Sequence, residues 1–421
     1  MKKNKRIFLK SFGLGFLSLP FLRGVRANYK PRVVILGGGF GGGTCLRYFE
    51  NFSEEIEIIL IEKNKYYYTC PFSNYVLGGF RNISQNRFQY KSIDRNRIKI
   101  IYDEVKFIDS EKKKLKLHNY DYIKYDWLII SPGISFKTNQ IEGYNPKTNL
   151  EHPHGWSGKQ ADIILKKINS LENNSKIIIS APEYPYRCPP APYERASLIA
   201  HNLKKKGLEF KIIILDNKDS FTKKELFFEA WKELYSNNIE WISKKNGGKI
   251  VKLDSKEKFV VTENGEKISG DVINIIPEQK ASDIFFSSNL IKDDWCDVNP
   301  TTFELKDSKF IHVIGDSINA WDMPKSAFSA NSQGKACSEN IINLILERKV
   351  SNPVFLNTCY SLASTNYGVS VTSWYRVNSA NTKIVSLGSK QTSLGLSDSR
   401  KKEEVLQSLG WYEHITSDLF G

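Results

Sequence analysis

The sequence predicts an α/β fold of two successive Rossmann-like units followed by a C-terminal extension, and three observations carry that prediction. A β-rich run, Pro31–Leu36, feeds into Gly37-Gly38-Gly39-Phe40-Gly41-Gly42, then a helix-like stretch through Cys45, Leu46 and Phe49, then a strand, Ile56–Ile61, ending at Glu62. A second α/β rhythm follows, with a helical stretch at Ile163–Leu171 and strands at Lys176–Ser180 and Lys211–Asp216. Far downstream, Phe310–Ile314 reads as another buried strand, ending in Gly315-Asp316.

The first unit has the form of a dinucleotide site. Glycines at 37, 39 and 42 fit G-x-G-x-x-G, which lets the backbone approach a pyrophosphate at the following helix N-terminus. Glu62, twenty residues beyond Gly42, can accept hydrogen bonds from an adenosine ribose. Tyr125–Gly133 resembles the strand and turn that recur in two-dinucleotide flavoproteins, with Ser131-Pro132-Gly133 where Ala-Thr-Gly is common. In those flavoproteins the aspartate matching Asp316 holds the ribityl chain, so the three elements together favour FAD.

The second unit lacks the matching loop. After Lys176–Ser180 the turn Ala181–Arg195 carries five prolines and no glycine. Such a turn cannot present the bare N–H groups that cradle phosphate, so this unit is expected not to bind NAD.

Composition agrees with a folded protein. The chain has 421 residues, 40% hydrophobic and 12% aromatic, which rules out a disordered or fibrous class. Its net charge of +15 owes much to the first 27 positions, which hold seven basic residues and no acid. The remaining 54 basic and 46 acidic residues leave +8, without long basic runs, which points to a mildly basic surface and not to nucleic-acid binding.

The same N-terminal segment reads as an export signal. Lys2, Lys3, Lys5 and Arg6 precede an apolar run, Phe12–Leu22, and Val25-Arg26-Ala27 offers a small residue for cleavage. The run is shorter than the ~20 residues that span a bilayer, and no other segment is long and apolar enough to do so. Lys5–Lys10 resembles the twin-arginine signal with lysine at its first arginine, and Arg23 and Arg26 suit that route. Residues 1–27 are therefore expected to direct the chain to the periplasm, with an uncleaved anchor as the alternative.

Six cysteines, Cys45, Cys70, Cys188, Cys296, Cys337 and Cys359, include no CxxC and no CxxCH, so neither a zinc site nor a covalently attached haem is encoded, and no metal site is expected. An oxidising compartment would let disulfides persist, but spacing does not select a pair.

Cys188-Pro189-Pro190-Ala191-Pro192-Tyr193-Glu194-Arg195 resembles the CPPGPYER segment of the flavoprotein subunit of flavocytochrome c sulfide dehydrogenase, with alanine at the glycine. Tyr68–Asn74, Met323–Gln333, Asn357–Leu362 and the ending Gly410–Gly421 resemble further segments, so the likeness runs from about residue 29 to the C-terminus.

The resemblance implies two Rossmann-like domains of glutathione-reductase type and a C-terminal flavocytochrome c sulfide dehydrogenase domain. The expected FAD domain is discontinuous, residues 29–142 and 276–346, around a second domain at 143–275, and residues 347–421 cover the flavin. It implies that Cys188 and Cys359 form a redox-active disulfide opened by sulfide, that Cys70 attaches FAD through a thioether, and that electrons pass to a c-type cytochrome subunit. By residue type alone these cysteines would read as structural, as Cys45, Cys296 and Cys337 do.

Glu194, early on the helix expected after Pro192, can shuttle protons, or it can be a first-turn acid stabilised by the helix dipole. Trp411 can lie on the route of the electrons or in an aromatic core. Two other functions fit the same motifs: a sulfide:quinone oxidoreductase, and a flavin-free persulfide carrier or scaffold. The charged, mixed tail Ser399–Gly421 weighs against the first, and the intact nucleotide motifs against the second.

Overall fold

Runs of Val, Ile and Leu buried on both faces build the first sheet, as expected of parallel strands covered on either side. In the computed structural model, which describes residues 29–156 and 158–421, it opens with β1 (Arg32–Leu36) leading into α1 (Phe40–Glu50). β2 (Glu57–Ile61), α2 (Ser73–Leu77), β3 (Ile98–Ile101) and β4 (Trp127–Ile130) follow. β1 pairs in parallel with β2 on one side (Val33 opposite Ile58) and β4 on the other (Val33 opposite Trp127). The expected export signal, residues 1–27, lies outside the described residues.

The second sheet follows α3 (Gln160–Asn169), close to the helix expected at 163–171. β5 (Ser175–Ala181), α4 (Ala191–Lys205), β6 (Phe210–Asp216), α5 (Lys224–Tyr235), β7 (Ile239–Ile242) and β8 (Val272–Asn274) complete it. All its strands are parallel, in the order β7-β6-β5-β8, and its core is separate from that of the first sheet.

The chain then returns to the first sheet. β9 (Ile311–Val313) pairs in parallel with β4, giving the order β9-β4-β1-β2-β3. Gly315-Asp316 lies just beyond, in a tight turn. α6 (Ala327–Ile345), capped by Ser326 Oγ accepting from Ser329 N, packs on α1, where Asn331 Nδ2 donates to Thr44 Oγ1 at 2.7 Å.

The C-terminal region is an antiparallel sheet of β10 (Val354–Ser364), β11 (Tyr367–Val377) and β12 (Ile384–Gln391), packed against the long helix α7 (Asp398–Phe420). At Gly368 the backbones of β11 and α7 meet so closely that a Cβ would strike Val405 N and the Glu404 carbonyl carbon. Val405, Tyr412, Ile415 and Leu419 are buried, so the apolar side of α7 faces the protein. No helix among the described residues is long and apolar enough to cross a membrane.

Candidate functional site

Parallel sheets place ligands at the carboxyl ends of their strands, and the sequence-predicted FAD residues converge at that end of the first sheet. Gly37 takes φ +89, and a Cβ there would drive into the Ser131 carbonyl; one on Gly42 would strike the Gly37 carbonyl. Gly39 caps α1 without a side-chain bond, and no acid occupies the first turn, so this helix end suits an anion. Glu62, 8% exposed, accepts from Gly38 N at 2.9 Å and Asn64 N at 3.0 Å, which fixes its carboxylate beside the glycine turn.

Gly315 takes φ +78 and donates its N–H to Gln333 Oε1 at 2.8 Å, which sets the turn that carries Asp316. Asp316 Oδ1 is buried without a hydrogen-bond partner among the described residues. Burial raises its pKa, opposed by Arg187 and Lys325. An unpaired carboxylate oxygen asks for a donor, and a ribityl hydroxyl is one. The glycine cradle, the acid just after β2 and this orphaned oxygen therefore fit FAD.

One cavity collects the sequence-predicted reactive residues Cys70, Cys188, Cys359, Glu194 and Trp411. Its wall is drawn from α2, the loop before α4, β10 and α7, so no stretch of chain holds it alone. All six cysteines are free, and the three in the cavity are partly exposed to it, whereas Cys45, Cys296 and Cys337 are buried. Cys188 shares the cavity with Cys359, but the thiol that it hydrogen-bonds is that of Cys70.

Cys188 takes a left-handed backbone (φ 56), unusual for a residue with a Cβ. Bonds from its N–H to the Lys325 carbonyl and from Ala191 N to its own carbonyl, both 2.9 Å, hold it there. The Cys70–Cys188 pair favours a thiolate on Cys70: the hydrogen bond from Cys188 lowers its pKa, burial opposes, and Arg187 and Arg195 lower it further.

Arg187, next to Cys188 in sequence, interacts electrostatically with Cys70, Cys188 and Asp316. Burial works against its charge, but Cys70, Asp316 and Cys188 outweigh that and hold it protonated. Its N–H donates to Gln279 Oε1 at 2.8 Å and its guanidinium to the Trp156 carbonyl. Arg195, 1% exposed, is instead a clamp: it bonds Asn74 Oδ1, the carbonyls of His154 and Gly155, and Asn274 Oδ1.

Glu194 bridges two elements. Oε2 accepts from Asn74 Nδ2 at 2.8 Å and Oε1 from Leu362 N, on β10, at 2.9 Å. Burial raises its pKa, and these two donors and Lys223 hold the rise in check. Asn357 Nδ2 donates to Cys359 Sγ at 3.3 Å, and its own oxygen is fixed by Ser326 Oγ at 2.6 Å and Ser329 Oγ at 3.2 Å. Trp411 stacks on Phe328 with ring centroids 5.9 Å apart. Sequence reasoning missed Arg187, Asn74, Asn357 and Lys223 as site residues; Arg187 and Asn357 were within reach, lying within two residues of a chosen cysteine.

In the second unit, the acid that ends β6 is saturated internally. Asp216, fully buried, accepts from Tyr193 Oη at 2.6 Å, Trp241 Nε1 at 2.7 Å and Lys218 Nζ at 2.6 Å.

Comparison with known families decides the assignment. Residues 161–277 match the sulfide dehydrogenase (flavocytochrome c) flavoprotein chain, central, and residues 351–420 the flavocytochrome c sulphide dehydrogenase, flavin-binding. The chain belongs to this family. Residues 31–169 of this flavocytochrome c sulfide dehydrogenase flavoprotein match the broader pyridine nucleotide-disulphide oxidoreductase family.

Among curated proteins, the type II NADH:quinone oxidoreductase of Staphylococcus haemolyticus is 31% identical over 120 residues, 28% of this chain. That of Staphylococcus aureus (strain NCTC 8325 / PS 47) is 28% identical over 120 residues. Each match spans only 30% of the relative's length.

Two solved structures share the fold. The sulfide:quinone oxidoreductase of Aquifex aeolicus superposes with a TM-score of 0.72 at 16% identity, over 92% of this chain and 91% of that one. The NAD-dependent persulfide reductase of A. fulgidus gives 0.63 at 15% identity, over 90% and 77%.

Proposed function

We propose that this flavoprotein oxidises sulfide to sulfur or polysulfide through a Cys188–Cys359 disulfide and FAD, and passes the electrons to a c-type cytochrome subunit in the periplasm. The observation that carries this reading is the single cavity holding Cys70, Cys188, Cys359 and Glu194, with the Arg187 charge acting on both cysteines, Cys70 and Cys188, and on Asp316.

Hydrosulfide attack on one sulfur of the disulfide breaks the S–S bond, leaves a persulfide on that cysteine and releases the other as thiolate. Glu194, its pKa raised by burial, takes the proton that hydrosulfide gives up as its sulfur is oxidised. Arg187 supplies positive charge where thiolate forms. Bound FAD supplies the conversion from two-electron to one-electron transfer that a junction between sulfide and haem needs. Asp316 would hold its ribityl chain and Glu62 its adenosine ribose, and Cys70 would attach it covalently.

The arrangement around α7 favours this reading over a quinone-reducing one. The apolar side of that helix is spent on the protein interior, so it is not offered to a lipid surface.

The test is an absorbance spectrum before and after anaerobic sulfide. Cys188→Ser should keep its flavin bands and lose sulfide-driven bleaching to background, while wild type bleaches within the mixing time; full bleaching in the variant would refute the pair. Flavin colour passing a filter after denaturation would exclude attachment at Cys70. Pull-down of the tagged protein from native periplasm should bring down a haem-staining band in near-equal amount. Recovery of the flavoprotein from cytoplasm alone would exclude export.

A further inference from the structure

No sequence pattern singles out Lys223, which is 5% exposed and precedes α5 in a left-handed conformation (φ 66). Its Nζ donates to the Cys359 carbonyl at 2.9 Å and Ser361 Oγ at 2.8 Å, and reaches the Val369 carbonyl at 3.5 Å. These three acceptors on β10 and β11 match the three donors of an ammonium, so the head is fixed on the backbone of Cys359 itself.

None of the three acceptors is charged. The carboxylates facing Lys223 are Glu194 on α4 and Glu404 on α7. Glu194 accepts from Asn74 and Leu362, and Glu404 Oε1 from Thr392 Oγ1 at 2.8 Å, while Glu404 Oε2 is buried without a hydrogen-bond partner among the described residues. A buried cation whose direct bonds all go to neutral groups, beside a cysteine read as half of the redox pair, gains a further charged neighbour when that cysteine ionises.

We infer that Lys223 is a positioning residue whose ammonium balances the thiolate released at Cys359 when the Cys188–Cys359 disulfide opens. The hydrosulfide sulfur bonds to Cys188 Sγ, the disulfide breaks, Cys188 carries the persulfide, and the bonding pair leaves on Cys359. Leaving-group thiols depart faster as their pKa falls, so the cation directs the break toward Cys359. Burial pushes the Cys359 thiol up, while Lys223 and the Asn357 amide pull it down, with Glu194 opposing them. Burial brings Lys223 itself down to about 8, so it is charged at neutral pH and loses its charge just above.

The inference rests on the reading of Cys188 and Cys359 as the redox pair, but its test does not use sulfide. The full-length reduced protein is alkylated with iodoacetamide across pH, and modification of Cys359 is read by peptide mass spectrometry. Lys223→Gln keeps a donor for the Cys359 carbonyl without the charge, Lys223→Met removes both, and Lys223→Arg keeps the charge. At pH 7.5 both neutral variants should label Cys359 about tenfold more slowly than wild type, the effect of about one pKa unit, with Lys223→Arg within about twofold. A Lys223→Gln profile that superposes on wild type would overturn the inference.

If the neutral variants do not fold, wild type and Lys223→Arg suffice. The wild-type rate should bend near pH 8 as Lys223 titrates, and the arginine variant, protonated throughout, should lack the bend. The same profile in both would also overturn it. Normal labelling with no bleaching by sulfide would instead count against the redox pair alone.

Discussion

At the carboxyl end of the first sheet the turn after β1 is made of glycines, and the acid that follows β2, Glu62, accepts one backbone bond from Gly38 in that turn and one from Asn64. At the corresponding end of the second sheet the turn after β5 is made of prolines, and the acid that ends β6, Asp216, is enclosed by Tyr193, Trp241 and Lys218. The two units repeat the same strand order around the same kind of acid. The first keeps backbone N–H groups and a carboxylate edge for a dinucleotide. The second surrounds its acid with side-chain donors, and its strand-to-helix loop carries Cys188 to the reactive cavity. One fold thus supplies a cofactor site and, by a change of loop, a wall of the reactive site.

The widest contrast should come from the turns. Gly42→Ala places a methyl against the Gly37 carbonyl and should cost about 3 kcal/mol, with the FAD-to-protein ratio on purification falling at least about tenfold. Ala181→Gly, at the end of β5, should cost about 1 kcal/mol and leave that ratio unchanged. Equal flavin loss in both would break the comparison.

The two acids should then separate. Asp216→Asn leaves Lys218, 7% exposed, without its counter-charge and should cost about 3 kcal/mol in thermal or urea unfolding, with normal flavin content in the folded fraction. Glu62→Gln should do the reverse, lowering flavin retention several-fold with little change in melting. A stable Asp216→Asn protein that loses its flavin would show that the second acid serves the cofactor after all.

A single hydrogen bond to the second acid should matter less than the acid itself. Tyr193→Phe removes one donor to Asp216 and leaves Trp241 and Lys218 in place, so the urea midpoint should fall by the equivalent of about 1–2 kcal/mol. No change would mean that the enclosure of Asp216 is looser than its distances imply.

Much of this was legible along the chain. The strands at 32–36, 57–61, 175–181 and 210–216 lie within a residue or two of the expected ones, because each is a short run of β-branched and aliphatic residues bounded by turn formers. The convergence of Gly37, Gly39, Gly42, Glu62, Gly315 and Asp316 was legible for a different reason: each lies at the end of a strand whose direction the fold fixes. The sheet β10–β12 was not, since polar residues on its exposed faces give no clean alternation; along β12 every residue from Ser386 to Gln391 is exposed.

By itself the sequence determined two parallel α/β units, one with a glycine cradle and one without, since strand runs, glycines and prolines act on the backbone within a few residues of themselves. Only the tertiary structure decided that Cys188 hydrogen-bonds Cys70 while sharing its cavity with Cys359, that Glu194 spans from α2 to β10, and that the cation at Cys359 is Lys223. Those contacts join residues far apart in the chain, and one lysine among many acquires its meaning only when packing removes water from around it and sets it on the backbone of a cysteine.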